Sequence, residues 1–250
     1  MKRFLTPSSW VYLLTHALAF VSGLALCLTG KVILVSIGTS LVAAGVVGWV
    51  VYAYVLVSQR VSDSLEIITR FGLQSVFEGR QVRIKPEYDR LLSKAREKIY
   101  VMGFGLKAFR EDYLHQFVQW SQRAEVRILL IDPEFPDGSA CYCTQRDREE
   151  RDTSGTIAQQ VMQFVKATEE LRQPGKGYNF NIRLYRCLPS INIFRVDDEL
   201  FWGPYLIKEP SRNTPTFLVR KGGVLFDRFV EHFESIWNDN DFSRSVPDTW

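Results

Sequence analysis

Two long apolar stretches open the chain. Trp10 to Leu28 is broken only by His16, and Val32 to Val57 carries no charged side chain. Each is long enough for the roughly 20 residues, at about 1.5 Å rise per residue, that cross a hydrocarbon core of about 30 Å. The first run is too long for the apolar region of a signal peptide, no A-x-A cleavage pattern follows it, and a second run begins at once. The pattern predicts a two-helix transmembrane hairpin over 1–57, turned at Thr29, Gly30 and Lys31. Small residues recur at four-residue spacing, Ala19 and Gly23 in the first run and Ser40, Ala44 and Gly48 in the second, so that helices can approach closely there. His16 is expected to bond Thr15, a neighbouring carbonyl or a lipid headgroup.

After the apolar runs the period stays helical for a while. Val61, Leu65, Ile68 and Gly72 share one face, with Arg60, Asp63, Glu66 and Arg70 elsewhere around the helix. This predicts a stalk helix within 58–79, which either packs on the next domain or self-associates as a coupling helix. Strand and helix signals then alternate. Short apolar runs at Ile99–Phe104 and Val126–Ile131 flank an amphipathic helix ending near Gln122. A charged loop spanning Asp137-Gly138 and Arg146–Arg151 precedes a helix from about Thr156 to Gln173, which Pro174 and Gly175 end. Strands are predicted near Phe180–Tyr185, Ile191–Val196, Leu200–Ile207 and Thr216–Val219, then a helix over Val224–Trp237. The fold class expected is α/β: a single lobe with a mixed sheet over 80–238, behind the hairpin and ahead of a polar tail, 239–250.

Composition narrows the chemistry little. Thirty-one Lys and Arg against 28 Asp and Glu give a net charge of +3, with no basic run dense enough to predict specific nucleic-acid binding. Lys2, Arg3, Arg60 and Arg70 flank the spans against Lys31 in the turn, which predicts both termini and the soluble lobe in the cytoplasm, on an inner membrane. Cys27, Cys141, Cys143 and Cys187 form no disulfide framework, and Cys141-x-Cys143 lacks both metal spacing and a nearby histidine. No metal and no cofactor are expected.

One set of motifs is familiar. Tyr88-x-x-Leu91-Leu92-x-x-Ala95, the Gly103-Phe104-Gly105-Leu106 turn, the run from Val126 to Pro133, and Asp197-Asp198-Glu199 before Gly203-Pro204 together resemble one lobe of the phospholipase D superfamily, over roughly Arg80 to Trp237. The resemblance implies a phospholipase D-like α/β lobe. It also implies a motif H-x-K-x-x-x-x-D, whose histidine attacks phosphorus while its lysine holds the phosphate oxygens. With the aspartate set on Asp197, Ser190 stands in the histidine position and Asn192 in the lysine position. A serine with no base beside it is a poor nucleophile, and asparagine brings no charge. His115 and His232 lack lysine or aspartate at the motif spacing and read as structural.

No catalytic residue is therefore assigned. The residues expected to bind ligand are Ser190, Asn192 and Asp197, with Arg80, Arg183, Arg195 and Lys208 as cations able to approach a phosphate. The reading chosen is a membrane-anchored sensor or effector whose degenerate lobe binds a nucleotide, a phospholipid headgroup or a protein and signals through the stalk to the hairpin, as a homo-oligomer in the lipid bilayer. Its layout resembles bacterial membrane effectors of antiviral defence. Two alternatives stand beside it. One is a membrane-bound phosphodiesterase or phospholipase with a non-standard site at Ser190, Asp197 or Asp198. The other is a scaffold that docks a protein through 210–215 or 137–152.

Overall fold

The computed structural model describes residues 7–80, 84–137, 140–173, 175–247 and 250. Lys2, Arg3, Gly138 and Pro174, and the side chains of Arg60 and Asp63, lie outside the described residues. The chain divides into two compact units, 1–67 and 68–250.

The first unit holds α1 (Pro7–Cys27) and most of α2 (Val32–Phe71). Their apolar windows, 19 and 27 residues long, are long and apolar enough to cross a membrane, and only 6% and 11% of each is buried. A helix apolar all round and uncovered has the surface that lipid covers. Glycine sets the spacing between the two helices: a Cβ on Gly23 or on Gly38 would lie 2.7 Å from the other's carbonyl oxygen, and one on Gly48 would overlap the His16 ring. The Tyr12 hydroxyl donates to Gly48 O at 3.2 Å, and His16 Nδ1 bonds Tyr12 O at 2.8 Å. The hairpin thus uses Gly23 and Gly48 for its own contact, and His16 answers a carbonyl one turn back.

The second unit is built on an eight-stranded mixed sheet. Its strands are β1 (Leu73–Phe77), β2 (Lys98–Gly103), β3 (Glu125–Ile131), β4 (Phe180–Tyr185), β5 (Ile191–Val196), β6 (Glu199–Pro204), β7 (Thr216–Arg220) and β8 (Ser243–Ser245), in the order β1-β7-β6-β5-β2-β3-β4-β8. β2, β3 and β4 run parallel, and every other pairing is antiparallel. The helices are α3 (Lys85–Lys94), α4 (Lys107–Tyr113), α5 (Phe117–Arg123), α6 (Tyr142–Glu150), α7 (Thr156–Ala167) and α8 (Val224–Asn238). Strand alternation sends Tyr100, Arg127, Arg195 and Trp202 toward α8, where Tyr100 stacks on Phe233 at 5.0 Å and Trp202 meets Phe229 at 4.6 Å. The other face packs Phe117 against Phe164 and Phe180, and Phe194 against Tyr88 and Phe109. The α/β class with a mixed sheet behind two apolar helices is therefore found as read.

Three stretches differ from the reading. Helix does not continue through 79: it ends at Phe71, Gly72 turns the chain at φ +71°, and β1 follows, paired with β7. The charged stretch near Arg146 is helix α6, because Arg146 is buried against the lobe and pairs with Glu149 and Glu150 one turn on. The tail is no free tail, since β8 closes the sheet on β4.

A buried-edge carboxylate gives a first prediction. Burial pushes Glu125 up, but bonds from Tyr100 at 2.5 Å and Arg127 at 2.8 Å outweigh it and leave its pKa below the ordinary value. A carboxylate held lower in the folded state stabilises it above the unfolded pKa of about 4, and this contribution is lost as pH falls through the folded value. Urea midpoints measured downward from pH 5 should fall less steeply in Glu125→Gln than in the parent; parallel slopes would show that the pair does not govern acid sensitivity.

Candidate ligand-binding site

The residues picked out by the motif spacing lie along one strand and divide between its ends. β5 runs antiparallel to β2, with Val196 opposite Ile99 and Ile193 opposite Met102. Ser190 and Asn192 therefore lie at the carboxyl edge of the parallel strands, the edge where α/β sheets bind ligands. Asp197 lies at the amino edge. There, at φ +49°, its carboxylate accepts the backbone N–H groups of Arg96, Glu97 and Lys98 at 2.8 to 2.9 Å. It clamps the start of β2.

Arg195 and Arg183 lie on the α8 side of the sheet, away from Asn192. Arg195 Nε donates to Asp197 O at 2.8 Å, and its guanidinium sits 5.2 Å from both the Tyr100 and the Phe226 rings. Arg183 donates to Ser243 Oγ, Ser243 O and Asn240 Oδ1, each at 2.8 Å, tying β4 to the turn that follows α8.

Of the remaining four, Arg80 and Ser190 approach Tyr205. Asn192 is buried and donates to Gly203 O at 2.5 Å. A Cβ on Gly203 would meet Pro215 O at 2.5 Å, Asn192 Nδ2 at 3.2 Å and Thr216 Oγ1 at 3.3 Å, so Asn192, Gly203 and Thr216 form a close row across β5, β6 and β7 that admits no side chain. Ser190 is exposed, and its carbonyl accepts Tyr205 N at 3.0 Å. Arg80 donates to Thr214 Oγ1 at 3.3 Å and lies 5.9 Å from the Tyr205 ring, with Nε buried and without an acceptor. Thr216 Oγ1 and the Tyr185 hydroxyl are likewise buried without a partner. Lys208 is exposed, at φ +65°, in the loop whose Leu206 and Glu209 carbonyls accept Arg146 at 3.0 and 2.9 Å.

The carboxylates beside this cluster, Glu149 and Glu150, are taken by Arg146. Among the described residues Arg80 forms no ion pair, while Arg146 lies 5.3 Å from the Tyr205 ring and spends its donors on Glu149, Glu150 and the two loop carbonyls. Burial pushes the Tyr205 hydroxyl up to about 12 against the pull of Arg80 and Arg146, and burial likewise takes Tyr88 up to about 12 against Arg80. Both are neutral phenols at physiological pH.

The same edge lacks an activated nucleophile among the described residues. Ser190 has no side-chain partner; His115 is exposed and bonds Gln116, and His232 lies in α8 with its pKa lowered by burial. Burial raises the Cys143 and Cys187 thiols, which keeps them protonated. Among the described residues no group of His, Cys, Asp and Glu is placed to hold a metal ion. The Gly103-Phe104-Gly105 turn is filled by its own fold, since a Cβ on Gly103 would lie 2.6 Å from Leu106 Cδ2 and one on Gly105 would overlap Gln160. Four residues of this edge carry no site signal in the sequence: Arg146, Tyr205, Thr214 and Thr216. Only Tyr205, directly after Gly203-Pro204, stood next to a motif.

No family model and no curated protein matches the chain. Among solved structures, TrmBL2, described as an archaeal chromatin protein with a novel mode of DNA binding, is 14% identical over 83% of this chain and 70% of its own, at a TM-score of 0.42. The phosphatidylserine synthase of Haemophilus influenzae Rd KW20 is 12% identical over 68% of this chain, at a TM-score of 0.42, and this chain spans 38% of its length. A likeness at this level fixes neither family nor activity.

Proposed function

We propose that the chain is a membrane-anchored binding protein. Its two apolar helices cross a bilayer, and its lobe takes a phosphate-bearing ligand at the carboxyl edge, between Arg80, Asn192, Tyr205 and Lys208. The observation that carries this reading is Arg80: a guanidinium with no carboxylate partner among the described residues and a buried Nε without an acceptor. A buried donor left unmade costs about 1–3 kcal/mol, which an anionic acceptor would return. Thr216 Oγ1 and the Asn192 amide, which meet across Gly203 on the same edge, suit the neutral oxygens of the same ligand. Binding is passed to the hairpin by α2, one helix from Val32 to Phe71.

The test uses the full chain in lipid nanodiscs, with thermal shift against inorganic phosphate, ATP and cyclic dinucleotides. A ligand at one hundred times its dissociation constant stabilises a fold by about 2.7 kcal/mol. Arg80→Gln should weaken the hit about ten- to a hundredfold, as loss of charge-assisted hydrogen bonds does. Equal affinity in Arg80→Gln would remove this reading, and a ligand recovered hydrolysed would replace it with that of a phosphodiesterase. Inserting Gly-Ser between Val57 and Val61 should leave binding intact while abolishing any ligand-dependent membrane leakage.

A further inference from the structure

The amino edge of the sheet holds a cleft of about 700 Å³, lined by Ser93, Lys94, Ala95, Arg96 and Arg123. It lies where α3 ends and β2 begins. Three of its five lining residues are cations. Lys94 and Arg96 are exposed and, among the described residues, form no ion pair. Arg123 donates through Nη2 to Leu92 O at 2.6 Å, while its Nε is buried without an acceptor.

Cations at a helix C-terminus ordinarily answer the last carbonyls. Arg123 Nη2 does that for α3. Among the described residues Lys94, Arg96 and Arg123 Nε bond no carbonyl, so the helix end explains only one of the donors gathered here. Asp197, the carboxylate beside Arg96, is spent on three backbone N–H groups. Glu97 and Glu125 line an adjoining hollow of about 320 Å³ that shares Arg123, while among the described residues no carboxylate lines the cleft itself.

The cleft is also connected to the point where α2 delivers the chain into the lobe. Gly72 O accepts Arg220 N at 2.9 Å, and the next residue, Lys221, bonds Asp198 through both its backbone N–H and its ammonium at 2.9 Å. Asp197, next to Asp198, holds the backbone of Arg96. Four residues of direct contact thus join the end of α2 to the rim of the cleft.

We infer that this cleft is a second, independent anion site, which binds a phosphate group with Lys94 and Arg96 at its rim and Arg123 Nε at its floor. The phosphate belongs either to a free phosphorylated metabolite or to the headgroup of an anionic lipid.

The experiment compares the full chain with Lys94→Glu/Arg96→Glu, two exposed positions whose exchange spares the core, and with Arg123→Gln. In zwitterionic nanodiscs, ATP and inorganic phosphate are titrated; in nanodiscs containing phosphatidylserine or a phosphoinositide, amide exchange over 92–97 is read without added ligand. A free-metabolite site shows ATP binding that weakens at least about tenfold in the double variant and in Arg123→Gln, yet persists in Arg80→Gln. A lipid site shows exchange over 92–97 slowed by anionic lipid in the parent and not in the double variant. Binding lost only in Arg80→Gln assigns all phosphate recognition to the carboxyl edge and overturns the inference. So does a double variant that binds ATP and answers anionic lipid as the parent does, or a parent that responds to neither probe.

Discussion

Asp132→Ala should lower the stability of the lobe by about 3–5 kcal/mol, enough to leave little folded protein at physiological temperature when a whole domain holds only about 5–15 kcal/mol. Asp132 is fully buried at the carboxyl end of β3. It accepts Arg186 Nε at 2.8 Å, Arg244 Nη2 at 2.7 Å and Glu134 N at 3.0 Å. Removing it strands two guanidiniums that are two-thirds or more covered, with only Glu134 left to answer Arg244. The cost comes from the uncompensated charges more than from the lost attraction, so replacing all three by apolar residues should recover most of it. Urea unfolding of the full chain in detergent, followed by tryptophan fluorescence, measures both changes. A triple variant as unstable as Asp132→Ala would show that something other than buried charge is responsible.

That ion cluster also shows what the sequence conceals. Arg244 lies in β8, within a segment that reads as a polar tail, because three residues give no alternation to detect. The longer apolar elements announce themselves: β4 and β5 run Phe180–Tyr185 and Ile191–Val196 as their hydrophobic patterns predict, and α8 differs by one residue at its end. β1 was absorbed into the helix before it, since Gly72 falls on the helical face and only its φ of +71° reveals the turn.

Part of the site was legible in the same terms. Asn192 and Arg195 are three residues apart on one strand, so period-two alternation already puts them on opposite faces. Parity alone separates Arg195 from the Asn192 side. Arg80 comes to Tyr205 from a distant segment, bonding Thr214 across 134 residues of chain, and no local pattern carries that information. The burial of Arg146 is equally hidden, because a charged stretch reads the same whether its charges face water or the core.

Arg146 joins that hidden core charge to the carboxyl edge. Only 3% exposed, it donates to Glu149 and Glu150 of its own helix and to the carbonyls of Leu206 and Glu209, with Phe104 and Tyr205 rings 5.5 and 5.3 Å from its guanidinium. Glu150 in turn holds Ser211 through N–H and hydroxyl. One side chain therefore fixes both ends of the loop that carries Lys208. Arg146→Met keeps the apolar stem and removes four hydrogen bonds, which should cost about 3 kcal/mol, the lower end for breaking a buried pair because Glu149 and Glu150 can still reach water. Arg146→Lys should recover little of this, since an ammonium cannot serve two carbonyls and two carboxylates in one plane. Amide exchange over 205–211 should quicken in both variants, and phosphate affinity should drop with it although Arg146 itself has no donor left for a ligand. Loss of stability with exchange over 205–211 unchanged would make Arg146 a support of α6 alone, and the loop would owe its shape to Tyr205 and Pro210.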